Sequence, residues 1–526
     1  MRQNMRQNIG HKSGEGEVPF KERLDKITTL VPLAVVILLC IFFCLFPEGS
    51  SSVLGAIRFF LGDQLGSYYL LIGLGVFVCS LYIAFSRYGQ IKLGGGEKPE
   101  YTPFQWGSMM FTAGLAADIL FYSLCEWMLY ANEPHIAELG SMQDWASVYP
   151  LFHWGPIPWC FYLVLAVAFG FMLHVRKRTK QKYSEACRAL LGDKVDKAPG
   201  RVIDLIAVIA LLAGTATTFS LATPLLSMVF SRVLSIPQSH FLTIAILVVI
   251  GLTYTITVCF GMKGVSKLAS SCTYLFFALL LYVLVGGGQP RYIIETGITA
   301  IGSLAQNFIS LSTWTDSLRT SSFPQNWTIF YWAYWMVWCV ATPFFIGSIS
   351  RGRTIRQTIL GGYFWGLSGT FTSFIILGNY SLGLQVFGKL DVLGFYGKTQ
   401  DLYQTILKVF DTLPFSQAGL ILLALTMIAF YATSFDALTM VASTYSYQEL
   451  KAGEEPKKGV KLFWAVLLIL FPIALIFNDS SMANLQSVSI IAAFPIGFII
   501  LLMIVSFFKD AKQYLAEREE RGDFPK

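Results

Sequence analysis

Apolar stretches about 20 residues long recur along the chain from Thr28 to Phe508, separated by short polar segments. Runs of this length match the hydrocarbon thickness that a helix must cross. They fall at about 28–47, 69–86, 105–131, 151–175, 202–232, 240–261, 268–287, 326–347, 356–380, 415–449, 460–478 and 484–508. This pattern predicts an all-α integral membrane protein with about twelve transmembrane helices.

The basic residues test the count, because an even number of spans with a cytoplasmic start places Lys and Arg in alternate gaps. Before the first run lie Arg2, Arg6, Lys12, Lys21, Arg23 and Lys26. After the second come Arg87, Lys92 and Lys98, and after the fourth Arg176, Lys177, Arg178, Lys180 and Lys182. The series continues with Lys263 and Lys267, then Arg351, Arg353 and Arg356, then Lys451, Lys457, Lys458 and Lys461, and ends in the tail from Lys509 to Lys526. The intervening 132–150 segment has Glu133, Glu138 and Asp144 but no Lys or Arg, and the loop near Asp479 has none either. Both termini are therefore expected on the cytoplasmic side of a bacterial-type plasma membrane.

Two outward loops, 288–325 and 380–414, are long and contain amphipathic stretches at 293–311 and 401–410, expected as re-entrant or surface helices. Each follows a similar number of spans, as in two five-helix halves repeated with inverted topology. The expected organisation is a tail at 1–27, two helices and a loop at 28–104, a first repeat at 105–287, an external segment at 288–325, a second repeat at 326–508 and a tail at 509–526.

Of the 526 residues 54% are apolar and 13% charged, against roughly 25% charged in soluble domains, which argues against three or four soluble domains. The formal charge of +7 sits in short loops, so no nucleic-acid partner is expected. Nine cysteines lie mostly inside apolar runs, with no CxxC pair and no neighbouring His, and read as packing residues. The first run is too long for a signal peptide and lacks a cleavage site. Five histidines show no HxxxH or HExxH spacing, and no Walker or GxGxxG loop is present. These absences point away from an enzyme and from ATP. A membrane-embedded sensor or enzyme remains as another class, and it calls for clustered polar chemistry at one interface or an appended soluble domain.

Several residues are out of place in a membrane span. The third run contains Thr112-Ala-Gly-Leu-Ala-Ala-Asp118, where small residues, Gly114 among them, permit close packing or unwinding. A carboxylate there costs at least a few kcal/mol unless it meets a partner, a cation or water. Asp118 is thus a functional candidate, or else a structural cap of a broken helix. Glu126, eight residues on, is an entrance charge or a fixed structural pair, with structure favoured. The fourth run opens with Phe152-His-Trp-Gly-Pro-Ile-Pro-Trp159, followed by Tyr162, and the eighth carries Phe330-Tyr-Trp-Ala-Tyr-Trp-Met-Val-Trp338. Interface belts of Trp and Tyr are common, but these rings run inward. Tyr331, Trp335, Trp338 and Thr342 share one helical face with Tyr334 beside it, and Trp154 and Tyr162 share another. A quaternary ammonium has no N–H to donate and is held by ring faces; simple helix packing explains the same spacing equally well. In the tenth run Thr433 and Ser434 either bond back to the preceding turn or join a Na⁺ site, with Asp436 in support. The basic turn Ser350-Arg-Gly-Arg-Thr-Ile-Arg356 reads as a topology signal, or more sharply as a gate meeting cytoplasmic acids.

Three of these segments resemble motifs of the betaine/choline/carnitine transporter family. Phe152 to Trp159 resembles F-H-W-G-x-x-P-W, Phe330 to Trp338 resembles F-Y-W-A-W-W-x-x-W, and Ile349 to Arg356 resembles I-S-R-G-R-[ST]-[IV]-R. In span count and order the similarity covers 30–508. The resemblance implies a LeuT-like fold of two inverted five-helix repeats after two N-terminal helices, and frequent assembly as trimers. It places Trp154, Trp159, Tyr162, Trp335 and Trp338 in the family's central aromatic box. Tyr334 replaces a usual Trp, with an outer contact expected to change more than the box. Thr433 and Ser434 fall on the hydroxyl pair that serves Na⁺ in coupled members, with backbone near Gly114, and no other cofactor is implied. Carnitine/butyrobetaine exchangers use an Arg where Cys272 stands here, so the runner-up reading, a precursor–product exchanger, lacks its substitute. Asp118 resembles the acidic position of choline-transporting members: a carboxylate neutralises choline but repels the carboxylate of betaine or carnitine. The short tails suggest nutrient uptake more than osmotic sensing. The expectation is an ion-coupled importer of a quaternary ammonium solute, choline ahead of glycine betaine and carnitine, surrounded by membrane lipid.

Overall fold

The computed structural model describes residues 23–94, 98–260, 262–450, 454–477 and 482–522, with side chains outside 257–270. The tail before Arg23, Lys451, the loop at Asp479, residues 523–526 and the side chains of Lys263 and Lys267 lie outside the described residues.

The described chain is all-α. Among the described residues the extended pairing consists of two isolated bridges, Leu24 with Tyr447 and Lys92 with Thr354. Each of the twelve apolar runs is occupied by a helix or a bent pair of helices, from Lys26–Leu45 and Gly66–Phe85 at the start to Lys458–Phe477 and Met482–Glu520 at the end. Among the described residues, eight helices are long and apolar enough to cross a membrane, or eleven if each bent pair counts as one span, and His240–Ile256 is a shorter apolar helix beside them. These helices make the chain a multi-pass membrane protein.

Two spans are broken near their middles. The third begins at Pro103 behind a capping box in which Thr102 and Gln105 bond each other's backbone. It stops at Ala113 and resumes as Ala117–Ala131 with a bend of 62°. The break follows from packing: a Cβ on Gly114 would lie 2.5 Å from the Trp159 ring, so the backbone approaches the indole too closely for any side chain. The eighth runs Pro324–Trp338, then Thr342–Ile349, bent by 56°. Pro343 has no N–H to return to the Cys339 carbonyl one turn back, and the Tyr183 hydroxyl donates to that carbonyl instead.

Amphipathic Pro290–Thr313 follows Ser271–Gly286 across a 112° bend and buries Ile293, Gly297, Ala300, Leu304 and Leu311. It packs on Met142–His153. The second amphipathic stretch is the helix Leu402–Phe410. The 132–150 segment, which lies between two apolar runs, folds as Pro134–Leu139 and Met142–His153, started by Pro134 at the first turn and by the Ser141 cap. The last helix continues past residue 508 to Glu520, because its acids meet the basic segment after the fourth run: Arg176 and Arg178 reach Asp510 at 2.6 and 2.8 Å, and Arg176 reaches Glu517 at 3.0 Å.

Among the described residues, the arginines at 353 and 356 of the basic turn meet carbonyls and a ring. Arg353 stacks over Trp106 at 4.4 Å and donates to the Tyr101 carbonyl, while Arg356 donates to the Ala84 carbonyl. Backbone bonds from Leu93 to Arg353 and from Ile355 to Ile91 fasten it to the 91–93 segment. The eight described cysteines are all unpaired.

Candidate functional site

The two broken spans and the start of the fourth meet at a cluster of rings. Trp154 occupies the junction between Met142–His153 and Pro156–Gly170. Gly155 permits that junction, since a Cβ there would lie 2.3 Å from the Leu151 carbonyl oxygen. Trp335 is the centre of the cluster, with its ring 4.7 Å from Tyr162, 5.7 Å from Trp159 and 5.7 Å from Trp154. The rings are tilted or edge-on to one another, as the aromatic quadrupole favours. Trp159 is wedged between two helices, because Cβ atoms on Gly114 and Gly366 would each come within 2.5 Å of it. The indole nitrogens of Trp159 and Trp335 are buried without a hydrogen-bond partner. Trp338 does not join this group: half-buried, its ring packs against Gly214 of the Ala198–Leu234 helix.

Asp118 sits in the first turn of Ala117–Ala131, where the helix dipole favours an anion, and is only 3% exposed. Its Oδ2 accepts from the Tyr334 hydroxyl, which in turn is bonded to Thr218. Its Oδ1 has no partner. Tyr334 stacks on Phe330 and stands edge-on to Trp154 at 6.5 Å. The Tyr334 ring is fully buried, with its hydroxyl drawn to the carboxylate.

Glu126, one helical stretch above Asp118, fastens the box. Oε2 accepts from Trp154 Nε1 at 2.7 Å and Oε1 from the Tyr130 hydroxyl at 2.7 Å. Tyr130 continues to His153 Nδ1 at 2.7 Å, and His153 Nε2 to Thr328 at 3.0 Å. His153 also stacks on Tyr331 at 4.8 Å. The structural reading of Glu126 fits this geometry. Tyr130, His153 and Thr218 were not singled out from sequence, although Tyr130 stands four residues from Glu126 and His153 lies inside the aromatic motif.

Thr433 and Ser434 are half-buried on the Ser416–Tyr445 helix, which packs on Ala117–Ala131. Thr433 Oγ1 donates to the Phe430 carbonyl at 3.1 Å, leaving its lone pairs available, and the Cys272 thiol lies against it. Asp436 faces Lys461, which pairs with Glu455 at 2.7 Å.

An all-α multi-pass membrane protein whose broken helices converge on buried rings and a carboxylate has the build of a membrane transporter. The chain belongs to the BCCT, betaine/carnitine/choline family transporter, group, whose pattern it matches over residues 27–516. It is 30% identical over 492 residues to the glycine betaine transporter OpuD of Bacillus subtilis, covering 91% of this chain and 93% of that protein. The osmo-dependent choline transporter BetT2 of Acinetobacter baylyi is 27% identical, covering 94% of this chain and 72% of its own length. The carnitine transporter of Acinetobacter baumannii is 26% identical over 81% of this chain and 77% of its own.

Proposed function

We propose that the protein is a secondary active transporter that imports choline across a bacterial plasma membrane, coupled to Na⁺. The observation carrying the substrate is Asp118, a buried carboxylate with one free oxygen beside the ring cluster. Trp335, Trp154, Trp159 and Tyr162 supply faces for a quaternary ammonium group, and Asp118 supplies the countercharge that choline lacks. A zwitterion brings its own carboxylate and meets repulsion there. Three similar transporters are named for three different solutes, so family membership leaves the choice to this residue.

For coupling, Thr433 and Ser434 would hold Na⁺ together with carbonyls of the last turn of Pro103–Ala113, which the break deprives of the amides that a continuous helix supplies. The ion contributes its electrochemical gradient. The exchange reading is disfavoured by Cys272, which brings no permanent cation to Thr433.

The test is uptake of labelled choline, glycine betaine, carnitine and butyrobetaine into proteoliposomes, each with inward Na⁺ or K⁺ gradients. Choline uptake that follows Na⁺ is expected. Preference for a zwitterion overturns the substrate assignment, and uptake that requires preloaded solute on the far side overturns symport.

A further inference from the structure

The bonds around Glu126 form a continuous chain, Glu126–Tyr130–His153–Thr328, with two proton arrangements and one set of heavy-atom positions. With Glu126 ionised, His153 carries its proton on Nδ1 and donates to Tyr130, Tyr130 donates to Oε1, and Thr328 donates to His153 Nε2. With Glu126 protonated, every one of these bonds reverses: Oε1 donates to the Tyr130 oxygen, Tyr130 donates to Nδ1, and Nε2–H donates to Thr328. In both arrangements Trp154 Nε1 keeps donating to Oε2 at 2.7 Å. A proton can therefore be gained or lost without breaking a hydrogen bond or moving an atom heavier than hydrogen. Most buried carboxylates do not have this freedom, since a fixed N–H donor set tolerates only the anion.

The surroundings make the proton count matter. Glu126 and His153 are both fully buried, 3.8 Å apart, and among the described residues no Lys or Arg lies within 4 Å of the carboxylate. The other titratable groups facing it are Tyr122, Cys125 and Tyr130 on its own helix and Tyr331 on Ile329–Trp338. Asp118 lies two turns further along, and Tyr403 of Leu402–Phe410 stands behind Tyr122. The strongest direct link to the ring cluster is the indole N–H of Trp154. An anion accepting that proton pushes electron density onto the ring and strengthens its hold on a cation, whereas a neutral acid does so weakly.

We propose that Glu126, acting through Tyr130, His153 and Trp154, is a proton-binding positioning site that links cation capture by the ring box to release of one proton. The chemical class of the ligand, a quaternary ammonium cation, rests on the functional reading above; the proton site itself does not. A cation in the box favours the Glu126 anion, so binding expels the proton, and the affinity for choline rises with pH by up to about tenfold per unit where Glu126 is protonated in the free protein. A zwitterion of net charge zero shows a smaller slope.

The site is tested on the full-length protein in membranes by infrared spectroscopy. Wild type is expected to gain a protonated-carboxyl band as the pH is lowered. Glu126→Gln, which keeps the bonds to both Trp154 and Tyr130, should lose it, and Asp118→Asn should keep it. Tyr130→Phe, offered in case the glutamine variant fails to fold, should keep the band and move its midpoint, because it cuts the chain between Glu126 and His153. A wild-type band that survives Glu126→Gln, the absence of any titrating band, or an unmoved midpoint in Tyr130→Phe overturns the proposal. Choline binding across the same pH range, with released protons counted in buffers of different ionisation enthalpy, should be pH-dependent in wild type and flat in Glu126→Gln. Equal slopes in both also overturn it. Failure of wild type to bind any quaternary ammonium compound overturns the functional reading instead, and leaves the infrared result standing.

Discussion

The Tyr334 hydroxyl donates to Asp118 Oδ2, which joins the second half of one broken span, Ala117–Ala131, to the first half of the other, Pro324–Trp338. Thr218 on a third helix completes the chain. A carboxylate held on one oxygen and open on the other is oriented without being neutralised, and this is the arrangement that a bound cation needs.

Replacing Asp118 tests net charge directly. Asp118→Gly should weaken choline binding by roughly 1 to 4 kcal/mol, the Coulomb range for 4 Å between water-like and near-surface dielectrics, and spare or improve betaine. Tyr334→Phe should weaken choline less, by about 1 kcal/mol, since it removes one hydrogen bond and leaves the charge. Competition binding with both ligands decides; an unchanged choline-to-betaine ratio in Asp118→Gly makes the residue structural.

The two tryptophans of the eighth span should separate. Trp335→Ala removes a ring within 6 Å of three others and should abolish substrate binding, with roughly 0.5 to 2 kcal/mol lost for each missing cation contact and further loss from repacking. Trp338→Ala, facing Gly214, should retain binding with a smaller loss. Equal losses in a scintillation proximity assay would place Trp338 in the box after all.

Trp159 is gripped by glycines, so Gly366→Ala should force the indole out of position and cost about 1 to 3 kcal/mol of stability together with transport. Gly302→Ala is the control, because its new Cβ meets nothing within 4 Å. Thermal unfolding in detergent measures both; similar midpoints contradict the close approach.

If Thr433 and Ser434 serve Na⁺, the double change to alanine should make choline uptake equal in Na⁺ and K⁺ buffers without altering protein abundance. Wild-type uptake already equal in the two, and driven by a pH gradient, removes the pair from the mechanism.

Outside the spans, His135 stacks on Trp314 at 3.6 Å and bonds the Tyr149 hydroxyl at 2.6 Å. Burial, opposed in part by Asp316, lowers its pKa to about 4 from an ordinary 6.5. The packed segment thus holds a neutral imidazole while the opened segment takes up a proton below about 6.5, so the contact weakens as pH falls from about 6.5 towards 4 and changes no further below that. Hydrogen exchange at 133–149 and 314–323 should rise over that window, and His135→Gln should flatten the response.

The sequence by itself determined the membrane class, the positions of the apolar helices and the residues worth watching, because hydrophobic length and charge alternation are local properties that the bilayer reads directly. It also marked Asp118 and the two aromatic motifs, since such groups are costly or unusual within a span. Only the tertiary structure decided how these residues meet. Helical spacing put Trp335 and Trp338 on one face, but the packed helices decide what each meets: Trp335 meets Trp154, Trp159 and Tyr162, and Trp338, one turn on, meets Gly214. Apart from Tyr130, four residues from Glu126 on the same helix, the partners of Tyr334, Glu126 and His153 come from other segments of the chain, brought into reach by glycines and prolines that admit close crossings and sharp bends. Hydrogen-bond satisfaction inside a dry bundle then fixes each side chain, a constraint that exists only once the helices are packed.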